Sequence, residues 1–116
     1  MTEERDNDAM LDMLIAARKA VGFTSGLSRQ EFIEDEPMQH ASIRLIQIVG
    51  EAARKVSTDR REQLPDIQWD QIIGMRHRLV HDYFHVNVDL VWQVLQAHLP
   101  ELVTLLEAVV PPDEAS

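Results

Sequence analysis

The sequence predicts an all-α fold, an antiparallel bundle of four to five helices, and three observations carry that expectation. Apolar residues recur at spacings of three and four along most of the chain, and no stretch alternates with period two for long enough to make a buried strand. Candidate caps and breakers fall between these periodic stretches, leaving short connections of the kind that join antiparallel neighbours. The length of 116 residues, 45% of them hydrophobic, suits one core. A single domain over residues 1–110 follows, with 111–116 as a tail expected to fray.

The first helix is expected from Asp6 to Val21, with Met10, Leu14 and Ala17 on one edge of its apolar stripe, Leu11 and Ile15 on the other, and Gly22 as its stop. Ser28, ahead of Gln30 and Glu31, reads as the cap of a short helix ending at Ile33. A third helix starts at Glu36-Pro37, where a first-turn proline is tolerated, and runs to about Ser57 on Ile43, Ile46, Val49, Ala53 and Val56. Gly50 lies inside it. An interior glycine costs about 1 kcal/mol against alanine, so its missing side chain is read as room for a neighbouring helix. Thr58 to Pro65 reads as a charged connection. Asp66 or Asp70 is expected to cap a fourth helix reaching about Phe84, and Asn87 a fifth. The seam of the fifth is Val88, Trp92, Leu95, Leu99, Leu102, Leu106 and Val109, kinked near Pro100.

The absence of cysteine excludes disulfides, iron–sulfur clusters, thiolate zinc sites and thiol nucleophiles, and it fits a reducing cytoplasm, the expected location. No segment is apolar enough to enter a membrane; the longest run free of charged residues is Leu90 to Pro100. The net charge of −9 opposes nucleic acid as a whole, because such binding rests on cations replacing counterions along the phosphates. The charge is uneven, however. Residues 1–39 sum to −5, residues 40–85 to +1 and residues 86–116 to −5, and four of the five histidines lie in the middle third. Phosphate chemistry, if present, belongs there.

In the fourth helix Trp69, Ile73, Arg76, Val80 and Tyr83 step by four, three, four and three, which sets Arg76 on an apolar seam. A buried guanidinium without a partner costs several kcal/mol, so Arg76 is expected to face a carboxylate, a subunit interface or a bound anion. Glu51 is the candidate for a structural ion pair. His81 falls about 140° around the helix from Arg76, unless the helix ends nearby. The bland alternatives are a helix-end histidine and a core tyrosine with its hydroxyl at the edge. His77, His81 and His85 at intervals of four could suggest a metal, but no glutamate accompanies them as in a helical zinc motif, and none is expected.

Taken together, Gly74-Met75-Arg76-His77-Arg78-Leu79-Val80-His81-Asp82-Tyr83-Phe84 resembles the Arg-x4-His-x-Tyr signature of the HEPN superfamily, and within it the HepT-like toxin family. The segment Ile48-Val49-Gly50-Glu51-Ala52-Ala53 is similar to the family's Gly-Glu-Ala segment, and the likeness runs over residues 40–106. The resemblance implies a metal-independent endoribonuclease toxin without cofactor, acting on RNA as a homodimer or higher oligomer whose two motifs face each other. It assigns Arg76 and His81 to catalysis, with His77 at the polar position after the arginine; we read His77 and Arg78 as substrate-positioning residues. It further implies a partner, an MntA-like minimal nucleotidyltransferase antitoxin of a type VII-like pair, which transfers AMP to Tyr83.

The residue types suit that chemistry. Attack of a 2′-hydroxyl on the adjacent phosphate needs a base, an acid and a stabiliser of extra negative charge, for which histidine and arginine are apt. One chain supplies one motif histidine, so a two-fold dimer would supply the second. Arg44, Arg54, Lys55, Arg76, Arg78 and the histidines are expected to line one groove while both acidic ends face away. A non-catalytic helical module for dimerisation or partner binding is the competing reading.

Overall fold

The computed structural model describes residues 2–82 and 85–111, with only the backbone of His81 and Asp82. It is an α-helical bundle, as the periodicity predicts, with one short two-stranded ribbon. Helix α1 spans Thr2–Thr24, α2 Arg29–Ile33, α3 Glu36–Lys55, α4 Thr58–Gln63 and α5 Trp69–Leu79. Strands β1 (Val80–Asp82) and β2 (His85–Val86) pair antiparallel, then α6 (Val88–Gln93) passes through a π-helical segment (Val94–His98) into α7 (Leu99–Val109). Helix α1 packs on α3 and α7, and α3 on α5.

The core is built from one stripe per helix: Met10, Met13, Leu14 and Ala17 from α1, Ile46, Val49 and Ala53 from α3, and Val91, Leu95, Leu99, Leu102 and Leu106 from the C-terminal run. Phe32 is fully buried and stacks at a tilt on Trp92, ring centroids 5.2 Å apart. Buried polar groups are mostly paired. Asp6 accepts from the Ser57 backbone N–H (2.8 Å) and hydroxyl (2.7 Å), which ties the start of α1 to the α3–α4 junction. Gln39 donates to the Phe32 and Ile33 carbonyls and closes α2 onto α3.

Several boundaries depart from the sequence reading for physical reasons. Helix α1 runs through Gly22, because the Thr24 hydroxyl bonds back to the Ala20 carbonyl (2.9 Å) and extends the last turn. Asp35, which the sequence reading passed over, caps α3 by accepting from the Met38 N–H. The connection Thr58 to Pro65 holds a helix, capped by Ser57, that buries no residue and so has no apolar period to read. Neither Asp66 nor Asp70 caps α5; its N-cap is Gln68, without a side-chain bond, and Trp69 anchors the turn by donating to the Leu64 carbonyl (3.1 Å). Near Pro100, where a kink was expected, the chain makes a π turn in which the Leu99 N–H reaches five residues back to Val94. This wider turn accommodates a proline that lacks an N–H of its own.

Candidate active site

Helix α5 stops at Leu79 instead of Phe84. Val80 takes extended dihedrals (φ −125°, ψ 114°), the chain enters β1, and the Asn87 N–H returns to the Leu79 carbonyl (2.8 Å). The motif is therefore divided: Arg76, His77 and Arg78 occupy the last turn of α5, and His81 belongs to β1. Cations in a last helical turn face the negative end of its dipole, a favourable place for Arg76 and Arg78. The helical angle from Arg76 to His81 no longer applies. His77, His81 and His85 likewise lose their shared helical face, and among the described residues no three metal-ligating side chains gather. Tyr83 lies outside the described residues, as does the His81 side chain.

Arg76 is exposed, which corrects the expectation that it sits on the buried seam. The buried line of α5 is Trp69, Met75 and Leu79 with Ile72 partly covered, so the helix is turned by about one residue from the predicted row. The desolvation problem that required a partner for Arg76 disappears with its exposure. Glu51 does not pair with it either. The Glu51 carboxylate accepts from Gln47 Nε2 (3.0 Å) and lies 3.8 Å from Arg44 Nη1. Among the described residues, the side chains of Arg54, Arg76, His77 and Arg78 make no hydrogen bond or ion pair.

Where α3 crosses α5, a groove of about 190 Å³ is lined by Ile46, Gln47, Gly50, Glu51, Arg54, Ile72, Ile73, Arg76 and His77. Gly50 explains how the helices come so close. A Cβ there would lie 3.0 Å from the Ile72 carbonyl oxygen, so the groove floor is backbone. Of the cations expected in one groove, the structure brings Arg54, Arg76 and His77 together, with Arg44 beside them through Glu51. Lys55 belongs to a separate depression with Lys19 and Asp12, and Arg78 lines neither. Gln47 is the residue that sequence reasoning missed. Its signal was positional, since it precedes Glu51 by one turn on the face that carries Gly50 and Arg54.

An exposed turn carrying Arg76 and Arg78, which have no partner among the described residues, beside a groove with a backbone floor can engage a polyanion along its phosphates while presenting an imidazole nearby. The family model described as ribonuclease HepT-like matches residues 13–109. A protein of Methanocaldococcus jannaschii, provisionally named an RNase, is 34% identical over 107 residues, covering 91% of this chain and 98% of its own. A second protein of that organism, named in the same way, is 33% identical over 108 residues, 92% of this chain and 93% of its own. The protein of Thermococcus cleftensis named Probable ribonuclease HepT is 32% identical over 95 residues, 82% of this chain and 86% of its own. No solved structure matches significantly. With the family model spanning nearly the whole bundle, including the end of α5 and the ribbon after it, the chain belongs to the ribonuclease HepT-like family.

Proposed function

We propose that the chain is a metal-independent endoribonuclease toxin whose active unit is a homodimer. The observation that carries the reading is the Arg76-x4-His81-x-Tyr83 motif in a chain of this family, with Arg76, His77 and Arg78 exposed at the end of α5 and without a side-chain partner among the described residues. In the proposed reaction the 2′-oxygen of one nucleotide forms a bond to the adjacent phosphorus and the bond to the 5′-oxygen breaks. One His81 takes the 2′-hydroxyl proton, and the His81 of the second copy delivers a proton to the departing 5′-oxygen. Arg76 neutralises the charge that builds on the non-bridging oxygens. The products are a 2′,3′-cyclic phosphate and a 5′-hydroxyl. His77 and Arg78 position flanking phosphates.

Neutralisation by a nucleotidyltransferase antitoxin completes the proposal. The Tyr83 phenol oxygen attacks the α-phosphorus of ATP, pyrophosphate departs, and the phenol proton is released. The added adenylate sets an anion beside Arg76 and blocks RNA by charge and volume.

The test is cleavage of total RNA by the purified chain in EDTA, followed by end-group analysis. The parent should yield cyclic phosphate and 5′-hydroxyl ends, and His81→Ala should lower the rate by about 10²–10⁴-fold while the melting temperature stays nearly unchanged. An inactive parent, or a His81→Ala chain as active as the parent, overturns the enzyme reading in favour of a non-catalytic module.

A further inference from the structure

The groove between α3 and α5 carries chemistry that phosphate neutralisation alone does not require. Arg54 and Arg76 supply two guanidinium groups without a partner among the described residues, and Ile46, Ile72 and Ile73 give an apolar wall. Between them stands a polar pair of defined orientation: Gln47 donates to Glu51 at 3.0 Å, and Arg44 stands 3.8 Å from the same carboxylate oxygen. A carboxylate is a poor neighbour for a phosphate, so its place in a cationic groove needs another purpose. Held from one side by Gln47 and Arg44, it keeps acceptor capacity toward the groove, and ionised carboxylates accept hydrogen bonds only.

We propose that this groove is a nucleotide subsite beside the scissile phosphate, and that Glu51 with Gln47 selects adenine or cytosine, which set an exocyclic amine beside a ring nitrogen acceptor, over uracil and guanine. The proposal rests on the ribonuclease reading above. The volume of about 190 Å³ admits one planar base against the isoleucines, with the phosphate of that nucleotide on Arg54. Adenine and cytosine each present an amino group beside a ring nitrogen acceptor, so Glu51 can accept from the amine while the free N–H of the Gln47 amide donates to the ring nitrogen. In that register uracil presents O4 and guanine O6 where adenine and cytosine present an amine, and two acceptors facing each other repel. Arg54 is then a positioning residue that contacts substrate phosphate without taking part in proton transfer.

The experiment separates this subsite from the reaction itself. Binding is measured by fluorescence anisotropy with 2′-O-methyl uridine hexamers whose one central residue is U, C, A or G; these lack the attacking hydroxyl and cannot be cut. The intact chain should bind the A and C hexamers about tenfold more tightly than the U and G ones, the discrimination of one good side-chain-to-base contact. Glu51→Gln should bring the four within about twofold, because an amide offers O4 a donor. Arg54→Ala should weaken all four alike, keep the preference, and reduce the slope of log affinity against log salt by roughly 0.7, the value for one phosphate on a single strand. With the ribonucleotide hexamers, Arg54→Ala should raise KM and leave kcat nearly unchanged. Equal binding of the four hexamers by the intact chain, or a preference that survives Glu51→Gln, overturns the proposal even if RNA is cut. Absence of cleavage with the preference intact overturns the enzyme reading and leaves a base-selective RNA-binding groove.

Discussion

Gly50 and Gly74 lie in two helices that touch, yet an added methyl group meets different surroundings at each. At Gly50 it would press on the Ile72 carbonyl oxygen at 3.0 Å, and at Gly74 nothing lies within 4 Å. Alanine gains about 1 kcal/mol in helix propensity at either position, but at Gly50 overpacking costs about 1–3 kcal/mol because backbone cannot move aside. Gly50→Ala should therefore lower the melting temperature, with a net loss of about 1 kcal/mol, while Gly74→Ala should raise it; thermal unfolding followed by circular dichroism checks both. The role of Gly50 was legible in the sequence, since a glycine amid a regular apolar period demands a reason. The placement of Arg76 was not. A row shifted by one residue, Trp69, Met75 and Leu79, serves as well as the row through Ile73 and Arg76, and only packing decides between them.

Short elements test how far local chemistry alone can specify structure. The five-residue α2 was readable because Ser28 and Glu31 form a reciprocal cap: the Ser28 hydroxyl accepts from the Glu31 N–H at 3.1 Å, and Glu31 accepts from the Ser28 N–H at 2.9 Å. The Ser28 backbone bond, and after it the hydroxyl, hold the Glu31 carboxyl below its ordinary value of 4.5. A carboxyl lowered on folding adds stability that is present above its unfolded pKa and is lost as pH falls through the folded one. Glu31→Gln should accordingly reduce the loss of stability on acidification below about pH 4.5, measured by urea unfolding across pH 3 to 6. Ser28→Ala should cost about 1 kcal/mol at neutral pH. The ribbon that ends α5 left no comparable trace. Its strands of three and two residues are too short for alternation to register, and the helical period of Trp69 to Leu79 extrapolates through them unchecked.

At the scale of the whole molecule, the bundle was legible because the long helices carry unbroken stripes, whereas the groove was legible only in part: Arg54, Arg76 and His77 were expected in it, but the place of Gln47 and the exclusion of Lys55 and Arg78 depend on a helix phase the sequence leaves open. On the proposed reading, charge distribution lets an acidic chain of net −9 offer a face to RNA: Arg54 of α3 and Arg76 of α5 meet at one crossing, while residues 1–39 and 86–116 hold the excess acid. A small local field against a repulsive background should make cleavage unusually sensitive to ionic strength. Initial rates at subsaturating RNA should fall steeply between about 50 and 200 mM salt, where a rate independent of salt would contradict binding by this face.

The π turn at Val94–His98 has a bearing on how this chain can vary in length. It holds one residue more than an α turn, and Gln96, Ala97 and His98 all face solvent there. A residue lost from that loop of helix tightens it and, once Pro100 is also relieved, leaves the stripe of Leu99, Leu102 and Leu106 aimed at α1 as before. Loss of a residue from α6 instead swings the same leucines by about 100° away from their partners. Indels along this C-terminal rod are thus tolerable at one address, and the seam downstream keeps its bearing only because slack is stored there.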